Sequence, residues 1–557
     1  MNRKRRSFAS AMQCLLVAGA ASSATIGVPG QFAQIQSAID AASPGDTVLV
    51  ASGTYAPADS NGISFRGKAL VVRSEEGAGA TAIDAMGAGR GFLFKNGETV
   101  TSILRGFTIT GGSASRSGGI YCEGSSPAIY DCEISGNTSV GLDNRGGGLF
   151  ALIASPTLQG CTISQNVALG AEGHGGGIVF VQSGGSISDC TISENLAVSA
   201  NGHGGGIYLA QSSPSIDGCF IIDNRAYSSG GLYCGDSSPL ITNCTISRNI
   251  ADKGGGFRCR NLAAPVLTNC VVSANQATDQ AGGGFNCDSN SHVTMFDCDV
   301  VDNTAVLWGG GMYLWSANAT LVDCRIENNE TLMKGGGLYF WGSSATELLR
   351  CDVSDNRSTG TGAGMFLTIG SSVSVRASRI SGNGAGSSGG GLHCEAASSA
   401  RLQNCIIAGN DALAGGAISC IGADTLHLYN CTVAGNTATL GGDGLYFSGG
   451  VGRVENSIVW EDAPDPIAID AGSLLAEWSD IKGGWTGAGN IDATPGFVTW
   501  RGYDFLLQNR SPCIDTGNPG TLDALYDSHP AWPAAHNDGE PADMGAYGGP
   551  GNGDWIP

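Results

Sequence analysis

The feature that most constrains this chain is a unit of 25 to 29 residues that recurs from Gly106 to Trp460. The stretch Ser126–Gly148 shows it in full: S-P-x-I-x-[ND]-C-x-I-x-x-N, a variable loop, and then G-G-G before an apolar residue. A period of this length is typical of proteins built from stacked repeats. The asparagine of I-x-x-N recurs at Asn137, Asn166, Asn195, Asn224, Asn249, Asn275, Asn303, Asn329, Asn356, Asn383, Asn410 and Asn436.

Each unit is predicted to contain three short strands. Side chains alternate faces along a strand, so Ile129 and Asp131 share one face, while Cys132 and Ile134 share one face. Both conditions hold only if the chain bends between Asp131 and Cys132. Helical repeats are disfavoured because no 3.6-residue periodicity is present and the 89 glycines would destabilise helices.

Three strands per coil, stacked in register, predict an all-β right-handed parallel β-helix, a solenoid that rises roughly 4.8 Å per coil. We expect the bend to carry a structural ladder of side-chain amides and carboxyls, because Asn and Asp tolerate unusual φ/ψ and bond nearby backbone. The predicted ladder residues are Asp131, Asp189, Asn243, Asn269, Asp297, Asp323, Asn404, Asn430 and Asn456.

The two ends of the chain depart from the repeat. Residues 1–24 are typical of a secretory signal, with a basic start at Arg3–Arg6 and an apolar stretch at Phe8–Ala21. We therefore expect export, with a secreted, periplasmic or cell-surface location. Residues 25–105 are assigned to an N-terminal cap and first coils, 106–488 to the repeats, and 489–557 to last coils and a C-terminal cap.

An amphipathic helix is predicted to cover the N-terminal end of the rod, as terminal repeats require. The segment Ser43–Asp46 would end it. The residues with helical spacing are Phe32, Ile35, Ala38, Ile39 and Ala42.

The net charge of −21 argues against nucleic acid or an anionic membrane surface as a partner. No stretch after the signal is long and apolar enough to span a membrane. We expect a monomer.

Most of the 19 cysteines fall in two columns, each at a fixed position of the repeat. Buried thiols stacked as small apolar groups, disulfides between adjacent coils, and metal binding all remain open for them. The first column is Cys132, Cys161, Cys190, Cys219, Cys244, Cys270, Cys298, Cys324, Cys351, Cys405 and Cys431, and the second is Cys122, Cys234, Cys259, Cys287, Cys394 and Cys420.

Three segments resemble known families. The stretch IQSAIDAASPGDTVLVASGTY looks like the N-terminal segment of pectin-lyase-like right-handed β-helix proteins. Gly175–Ile178 and Ile163–Asn166 resemble the GGAI and FxxN motifs of polymorphic outer-membrane proteins. The ending GNIDATPGFV…SPCIDTG is similar to that of large exported bacterial β-helix families. The resemblance is specific for fold and weak for function.

Enzymes of the pectin-lyase-like fold bind polysaccharide along the outward face of one strand, which the resemblance places after G-G-G. The outward positions there predict an exposed aromatic stripe with two arginines, suited to stacking on sugars and pairing with uronate carboxylates. Cross-strand packing of stacked aromatic side chains is the alternative. The first outward column is Tyr121, Phe150, Val179, Tyr208, Tyr233, Arg258, Asn286, Tyr313, Tyr339, Phe366, His393, Ser419 and Tyr446. The predicted substrate-binding residues are Arg258, Arg260, Asp288, Tyr313, Trp315, Tyr339 and Trp341.

Three functions remain open: a non-catalytic protein that binds a polysaccharide or surface partner, a polysaccharide lyase or related enzyme acting on acidic glycans, and a passive structural rod. No catalytic residues are assigned. No cofactor is expected, except that calcium could bind Asp538, Glu540 and Asp543. Two Gly-His-Gly motifs, around His174 and His203, match a polygalacturonase element without its companion motifs.

Overall fold

The computed structural model describes residues 23–141, 145–170, 173–422, 424–461, 465–500, 503–508, 510–521 and 541–555. The predicted signal lies outside this part of the chain except for its last two residues. Two of the three candidate calcium ligands, Asp538 and Glu540, also lie outside it.

The chain winds into a right-handed parallel β-helix of about 15 turns, which confirms the predicted fold class. Each repeat contributes three longer strands, as expected, and a two-residue strand that the sequence did not indicate. One coil shows all four, at Leu149–Leu152, Thr157–Gln159, Thr162–Ser164 and Val167–Ala168. We call them strands 1 to 4. Each pairs in parallel and in register with its counterpart in the next coil, as Leu149 does with Ile178.

Strand 1 lies at Ile63–Ser64, Phe92–Phe94, Ile120–Glu123, Leu149–Leu152, Ile178–Val181, Ile207–Ala210, Leu232–Gly235, Phe257–Arg260, Phe285–Asp288, Met312–Trp315, Leu338–Trp341, Met365–Leu367, Leu392–Glu395 and Ile418–Ile421. Strand 2 lies at Thr25–Val28, Thr47–Val50, Val71–Ser74, Ile103–Arg105, Ala128–Tyr130, Thr157–Gln159, Ser186–Ser188, Ser215–Asp217, Leu240–Thr242, Val266–Thr268, His292–Phe296, Asn318–Val322, Ala345–Leu349, Ser372–Arg376, Ser399–Gln403 and Thr425–Tyr429. In the last two coils strands 1 and 2 are continuous, as Leu445–Glu455 and Ile467–Glu477.

Strand 3 lies at Gly53–Tyr55, Thr81–Asp84, Thr108–Thr110, Glu133–Ser135, Thr162–Ser164, Thr191–Ser193, Phe220–Ile222, Thr245–Ser247, Val271–Ser273, Asp299–Val301, Arg325–Glu327, Asp352–Ser354, Arg379–Ser381, Ile406–Ala408, Thr432–Ala434, Ile458–Trp460 and Asp480–Ile481. Strand 4 lies at Ser113–Ala114, Thr138–Ser139, Val167–Ala168, Leu196–Ala197, Arg225–Ala226, Ile250–Ala251, Gln276–Ala277, Thr304–Ala305, Glu330–Thr331, Arg357–Ser358, Gly384–Ala385, Asp411–Ala412 and Thr437–Ala438. An antiparallel hairpin, Phe497–Trp500 with Tyr503–Leu507, and a 3-10 helix, Asn552–Trp555, follow the coils.

The interior is one continuous apolar core. Ile120, Ile129 and Ile134 are fully buried, and the cysteine columns lie between such residues. All cysteines in the described part of the chain are free and buried. Burial raises the pKa of the Cys132 thiol to about 12, so the group stays protonated and apolar.

The sharp bend lies between strands 2 and 3, where all nine predicted corner residues adopt left-handed φ, between +48° and +55°. Within that column one side-chain bond is described, from Asn269 Nδ2 to Asn243 Oδ1 at 2.7 Å. The continuous amide ladder lies instead in the I-x-x-N column. There Asn166 Nδ2 donates to Asn195 Oδ1 at 3.0 Å, and the pattern continues coil by coil to Asn436.

The two ends of the rod are built differently. The helix Ile35–Ala41 covers the N-terminal end and buries Ile35, Ala38 and Ile39, as predicted. At the other end residues 541–555 run back along the bend, where Asn430 Nδ2 donates to the carbonyl of Asp543 at 3.0 Å. Among the described residues, no helix has the length and apolar character to cross a bilayer.

Candidate functional site

The face of strand 1 differs from the prediction in one respect: its first outward column is covered rather than exposed. Tyr313 and Tyr339 are 5 % and 4 % exposed, and Phe366 is fully buried. The aromatic side chains stack along the rod, with Tyr313 and Tyr339 ring centroids 5.3 Å apart. The expected exposed stripe is therefore wrong for this column.

The cover is the residue before each G-G-G turn, which folds back over the strand-1 face. We call this set the cover column. In ten of these eleven turns a glycine follows the cover residue and makes the reversal possible: Gly309 has φ +62°, and a Cβ there would collide with the carbonyl oxygen of Met312. Ser229 takes this position in the remaining turn, with φ +58°. The cover column consists of Arg145, His174, His203, Ser228, Lys253, Ala281, Trp308, Lys334, Thr361, Ser388 and Ala414.

A cleft opens where this cover contains a small residue. Ala281 lies between Lys253 and Trp308 in the cover column, and the gap beside its methyl group forms a cleft of about 250 Å³. Its lining residues are Lys253, Arg258, Gln280, Ala281, Asn286, Asp288, Trp308, Tyr313, Trp315 and Trp341.

Three tryptophans form one side of the cleft. Trp308 meets Trp341 edge to face, with ring centroids 5.9 Å apart at 89°. Trp315 lies 6.1 Å from Trp341, and 52 % of its surface is exposed. A large apolar side chain this exposed provides a flat surface for a ligand.

A buried ion pair forms the other side. Arg258 Nη2 donates to Asp288 Oδ2 at 2.6 Å, and its Nη1 donates to Ser228 Oγ at 2.6 Å. Arg260 approaches the same carboxylate at 3.3 Å and keeps 44 % of its side chain exposed. Burial, together with these two guanidinium groups, lowers the pKa of Lys253. Three cations thus surround one carboxylate, which makes this end of the cleft positive.

A second charged cluster lies beyond the tryptophans. Lys334 Nζ donates to Glu395 Oε1 at 3.3 Å and lies 4.5 Å from the centre of the Phe366 ring. His393 Nε2 is 3.6 Å from Glu395 Oε2. The interactions with His393 and Lys334 lower the pKa of Glu395 to about 2. Along the strand-1 face, the cationic group around Asp288 is therefore followed by the three tryptophans and then by the Lys334–Glu395 cluster, in which the charges offset each other.

Most of the predicted binding residues meet at this cleft. Arg258, Asp288, Tyr313, Trp315 and Trp341 line it, and Arg260 reaches it through Asp288. The seventh, Tyr339, lies under Trp308, with ring centroids 6.0 Å apart.

The sequence-based selection left out five lining residues: Lys253, Gln280, Ala281, Asn286 and Trp308. Lys253 and Trp308 could have been selected from the sequence, because each directly precedes a triglycine turn. No repeat position marks Gln280.

The site has little capacity for acid–base chemistry. Burial raises the pKa of Tyr313 and Tyr339, so both phenols stay protonated. Asp288 is the one carboxylate that lines the cleft, and both arginines occupy it. Hydrolysis of a glycoside ordinarily requires two carboxyl groups at a defined separation.

In the part of the chain that the structure describes, no three His, Cys, Asp or Glu residues are grouped to hold a metal ion. The described candidate ligand, Asp543, is 5 % exposed, and its Oδ1 accepts a bond from the backbone of Asp515 at 2.9 Å. The histidines of the Gly-His-Gly motifs stack on each other, with ring centroids 5.0 Å apart.

A larger depression, of about 590 Å³, lies on the outward face of strand 2. Its lining includes Ala345, Ser372, Ser399, Glu347 and Arg401. No Trp, Tyr or Phe lines it, so we regard the tryptophan cleft as the better candidate for a ligand with apolar faces.

The fold and this face define a right-handed β-helix protein. The family described as "Right handed beta helix region" matches residues 60–215, 154–324 and 308–438. The chain belongs to that family. No curated protein sequence matches it.

Three solved structures are similar to this chain at low identity. Pectate lyase Pel9A is 11 % identical, over 95 % of this chain and 97 % of that chain, with a TM-score of 0.21. The A-module of the Azotobacter vinelandii mannuronan C-5 epimerase AlgE6 is 12 % identical, over 79 % and 94 %, with a TM-score of 0.27. The Siphovirus 9NA tailspike receptor binding domain is 9 % identical, over 86 % and 78 %, with a TM-score of 0.19. At these scores the likenesses identify no activity for this chain.

Proposed function

We propose that this protein binds a polysaccharide along the strand-1 face without turning it over, with the tryptophan cleft as the central contact. The observation that carries the proposal is the half-exposed Trp315, which stands beside Trp341 above a cationic pocket. Aromatic faces stack on the apolar faces of sugar rings, and an exposed guanidinium donates paired hydrogen bonds to carboxylates. Arg260 is the side chain placed for the second role.

The arrangement of the arginines supports binding rather than catalysis. Arg258 is held by Ser228 and Asp288, so its orientation is set before any ligand arrives. Such preorganisation reduces the entropy lost on binding. The Asp288 carboxylate that orients Arg258 is not free to act as an acid or base, because Arg260 occupies its second oxygen.

Packing between neighbouring strands is the competing explanation for the tryptophans. It accounts for Tyr313, Tyr339 and Phe366, which are buried in a stack. It does not account for Trp315, because packing that leaves 52 % of an indole exposed forfeits much of the hydrophobic gain. The buried column is therefore structural, and the exposed residue carries the functional proposal.

The test is calorimetric titration of the protein with a panel of neutral and uronate-containing polysaccharides. For any polysaccharide that binds, we expect Trp315→Ala and Trp341→Ala each to weaken binding by about tenfold or more, since tryptophans dominate contact energies. Phe220→Ala is the matched control, because Phe220 is 53 % exposed on strand 3, away from the cleft.

Two outcomes would contradict the proposal. Binding that is unchanged in both tryptophan variants would place the ligand elsewhere. Accumulation of unsaturated sugars, detected by their ultraviolet absorbance during the same titrations, would show lyase activity and contradict the non-catalytic assignment.

A further inference from the structure

The outward surface of strand 1 changes character on the N-terminal side of the tryptophan cleft. Two residues along from the covered aromatic column, a second outward column continues in register from coil to coil. Its members there are Val181, Ala210 and Gly235, and we call them the neutral track. They occupy three coils, roughly 14 Å of the rod. The next residue of the column is Arg260, at the edge of the cleft.

The neutral track is small and apolar. Val181 and Ala210 are half-buried. A Cβ added to Gly235 would lie 3.0 Å from Tyr233 Cε1, so the ring of Tyr233 takes the place of a side chain there. An even apolar surface with a few polar groups beside it is typical of sites that bind flat, uncharged ligand faces.

Amide side chains border the neutral track. Gln182 and Gln211 lie in the turns that follow strand 1, and both are exposed. Gln182 Nε2 donates to Gln211 Oε1 at 3.1 Å, which leaves further amide donors and acceptors for a ligand. The hydroxyl groups of a sugar are suitable partners, because hydroxyls and amides both donate and accept hydrogen bonds.

The track offers nothing to an acidic group. No lysine or arginine occurs in strand 1, the cover position or the following turn of these three coils. Burial lowers the pKa of His203, one of the cover residues, to about 3, so its imidazole is uncharged at pH 7. Asp236 adds an exposed carboxyl group in the turn after Gly235. A carboxylate bound over the track would lose water without gaining a cationic partner.

From the neutral track to the Lys334–Glu395 cluster, the exposed cations of the strand-1 face belong to one coil. Lys253 and Arg260 lie in the coil of Phe257–Arg260, beside Asp288. Lys334, three coils beyond, is held by Glu395 at 3.3 Å. A chain with a carboxylate on every sugar would therefore find a cation for few of them.

We propose that the ligand of the cleft is a heteropolysaccharide in which acidic sugars are separated by neutral ones. One acidic sugar contacts Arg260, the sugars on one side of it reach Trp315, and the neutral sugars on its other side lie over the neutral track. The inference rests on the proposed function, because it requires polysaccharide binding at the tryptophan cleft. It adds that homopolymers of uronate are not the preferred ligand, and that the contact extends towards the N-terminal coils.

Calorimetric titration with soluble fragments of matched length tests the inference. The probes are gellan, in which each glucuronate is separated by neutral sugars, polygalacturonate, in which every sugar is acidic, and dextran, which is neutral. We expect gellan to bind at least about tenfold more tightly than the other two. Polygalacturonate places carboxylates over the neutral track, and dextran has no group for Arg260.

Charges introduced on the track provide a second test. Ala210→Glu should weaken gellan binding at least about fivefold, because its carboxylate occupies the track. Ile421→Glu is the matched control and should leave binding unchanged. Ile421 is 37 % exposed in the same outward column, three coils beyond Trp341. Ala210→Lys should raise the affinity for polygalacturonate at least about threefold, because it gives the uronates a cation.

Failure of this inference can be distinguished from failure of the proposed function. If Trp315→Ala weakens binding but polygalacturonate binds as tightly as gellan, the cleft binds polysaccharide and the heteropolysaccharide assignment is wrong. An Ala210→Glu variant that binds gellan normally, or an absence of gellan binding, would also overturn the inference. Unchanged binding in Trp315→Ala would overturn the proposed function and this inference with it.

Discussion

Asparagine has different structural roles at two positions of the coil, the I-x-x-N column and the bend. Asn275 in the I-x-x-N column is fully buried, and its Nδ2 donates to Asn303 Oδ1 at 3.0 Å and to the Ile246 carbonyl at 2.9 Å. Asn269, in the bend of the same coil, is exposed. The buried position needs a donor and an acceptor on one side chain, whereas the bend needs only a residue that accepts left-handed φ.

This difference predicts opposite tolerance to the same substitution. Asn275→Asp removes two donated bonds and buries a carboxylate, so we expect a loss of about 3 kcal/mol or more in the free energy of unfolding. The matched change Asn269→Asp should cost less than about 1 kcal/mol, because aspartate already occupies the bend elsewhere and the lost bond is exposed. Denaturant titration measures both. Equal losses would show that the two columns are equivalent.

At the scale of the element, the cover column and the first outward column form one interlocked stack. His174 lies 4.7 Å from Tyr208, and His203 lies 4.7 Å from Tyr233, measured between ring centroids. The Gly-His-Gly motifs thus place imidazole rings as covers for tyrosine. Their resemblance to a catalytic element is a consequence of the glycine turn that follows each histidine.

This stack predicts a pH dependence of stability. Burial lowers the pKa of His203 to about 3, with further contributions from His174, Arg258, Arg260 and Lys253. Between about pH 6.5 and pH 3 the unfolded chain binds a proton that the folded chain does not, so stability falls as the pH decreases through this window. We expect His203→Phe to reduce this loss by about 2 kcal/mol, measured as unfolding free energy at pH 7 and pH 4.

His427→Phe provides the comparison, because His427 is exposed on strand 2 and lies outside this stack. The same slope in wild type and in His203→Phe would show that this histidine is protonated as readily in the folded protein as in the unfolded chain.

Across the whole molecule, the cysteines report on the integrity of the rod. The described thiols are free and lie inside the coils, where Cys122 and Cys234 are fully buried. Burial raises the pKa of both thiols, so little reactive thiolate forms. Burial also keeps reagents away from the sulfur atoms, so chemical modification is disfavoured on both grounds. The columns act as small apolar side chains between the isoleucines.

We therefore expect the native protein to react slowly with an aromatic disulfide reagent, and the guanidinium-unfolded protein to expose its thiols at once. Absorbance of the released thiolate measures both rates. Rapid reaction of the native protein would mean that the coils open readily. A lack of reaction after unfolding would mean that the columns are oxidised to disulfides.

Particular residues show how far sequence reasoning reached. The period of Asn137 to Asn436 and the alternation around Cys132 were enough to predict the coil, the bend and the inward columns. The same alternation assigned Tyr313 and Tyr339 to the outside, and they are outside the core. It could not show that they are covered, because the cover comes from Trp308, which precedes the glycine turn of Tyr313's own coil and also reaches Tyr339 in the following coil.

The sequence by itself determined the solenoid, since side chains that alternate over three short segments and recur at one period can be buried together only by stacking coils. The tertiary structure alone decided which outward residues meet a ligand. Residues before the glycine turns fold back over the strand-1 face, and the tryptophan cleft lies beside Ala281, whose methyl group is the cover between Lys253 and Trp308. That depends on contacts between coils, which no single repeat specifies.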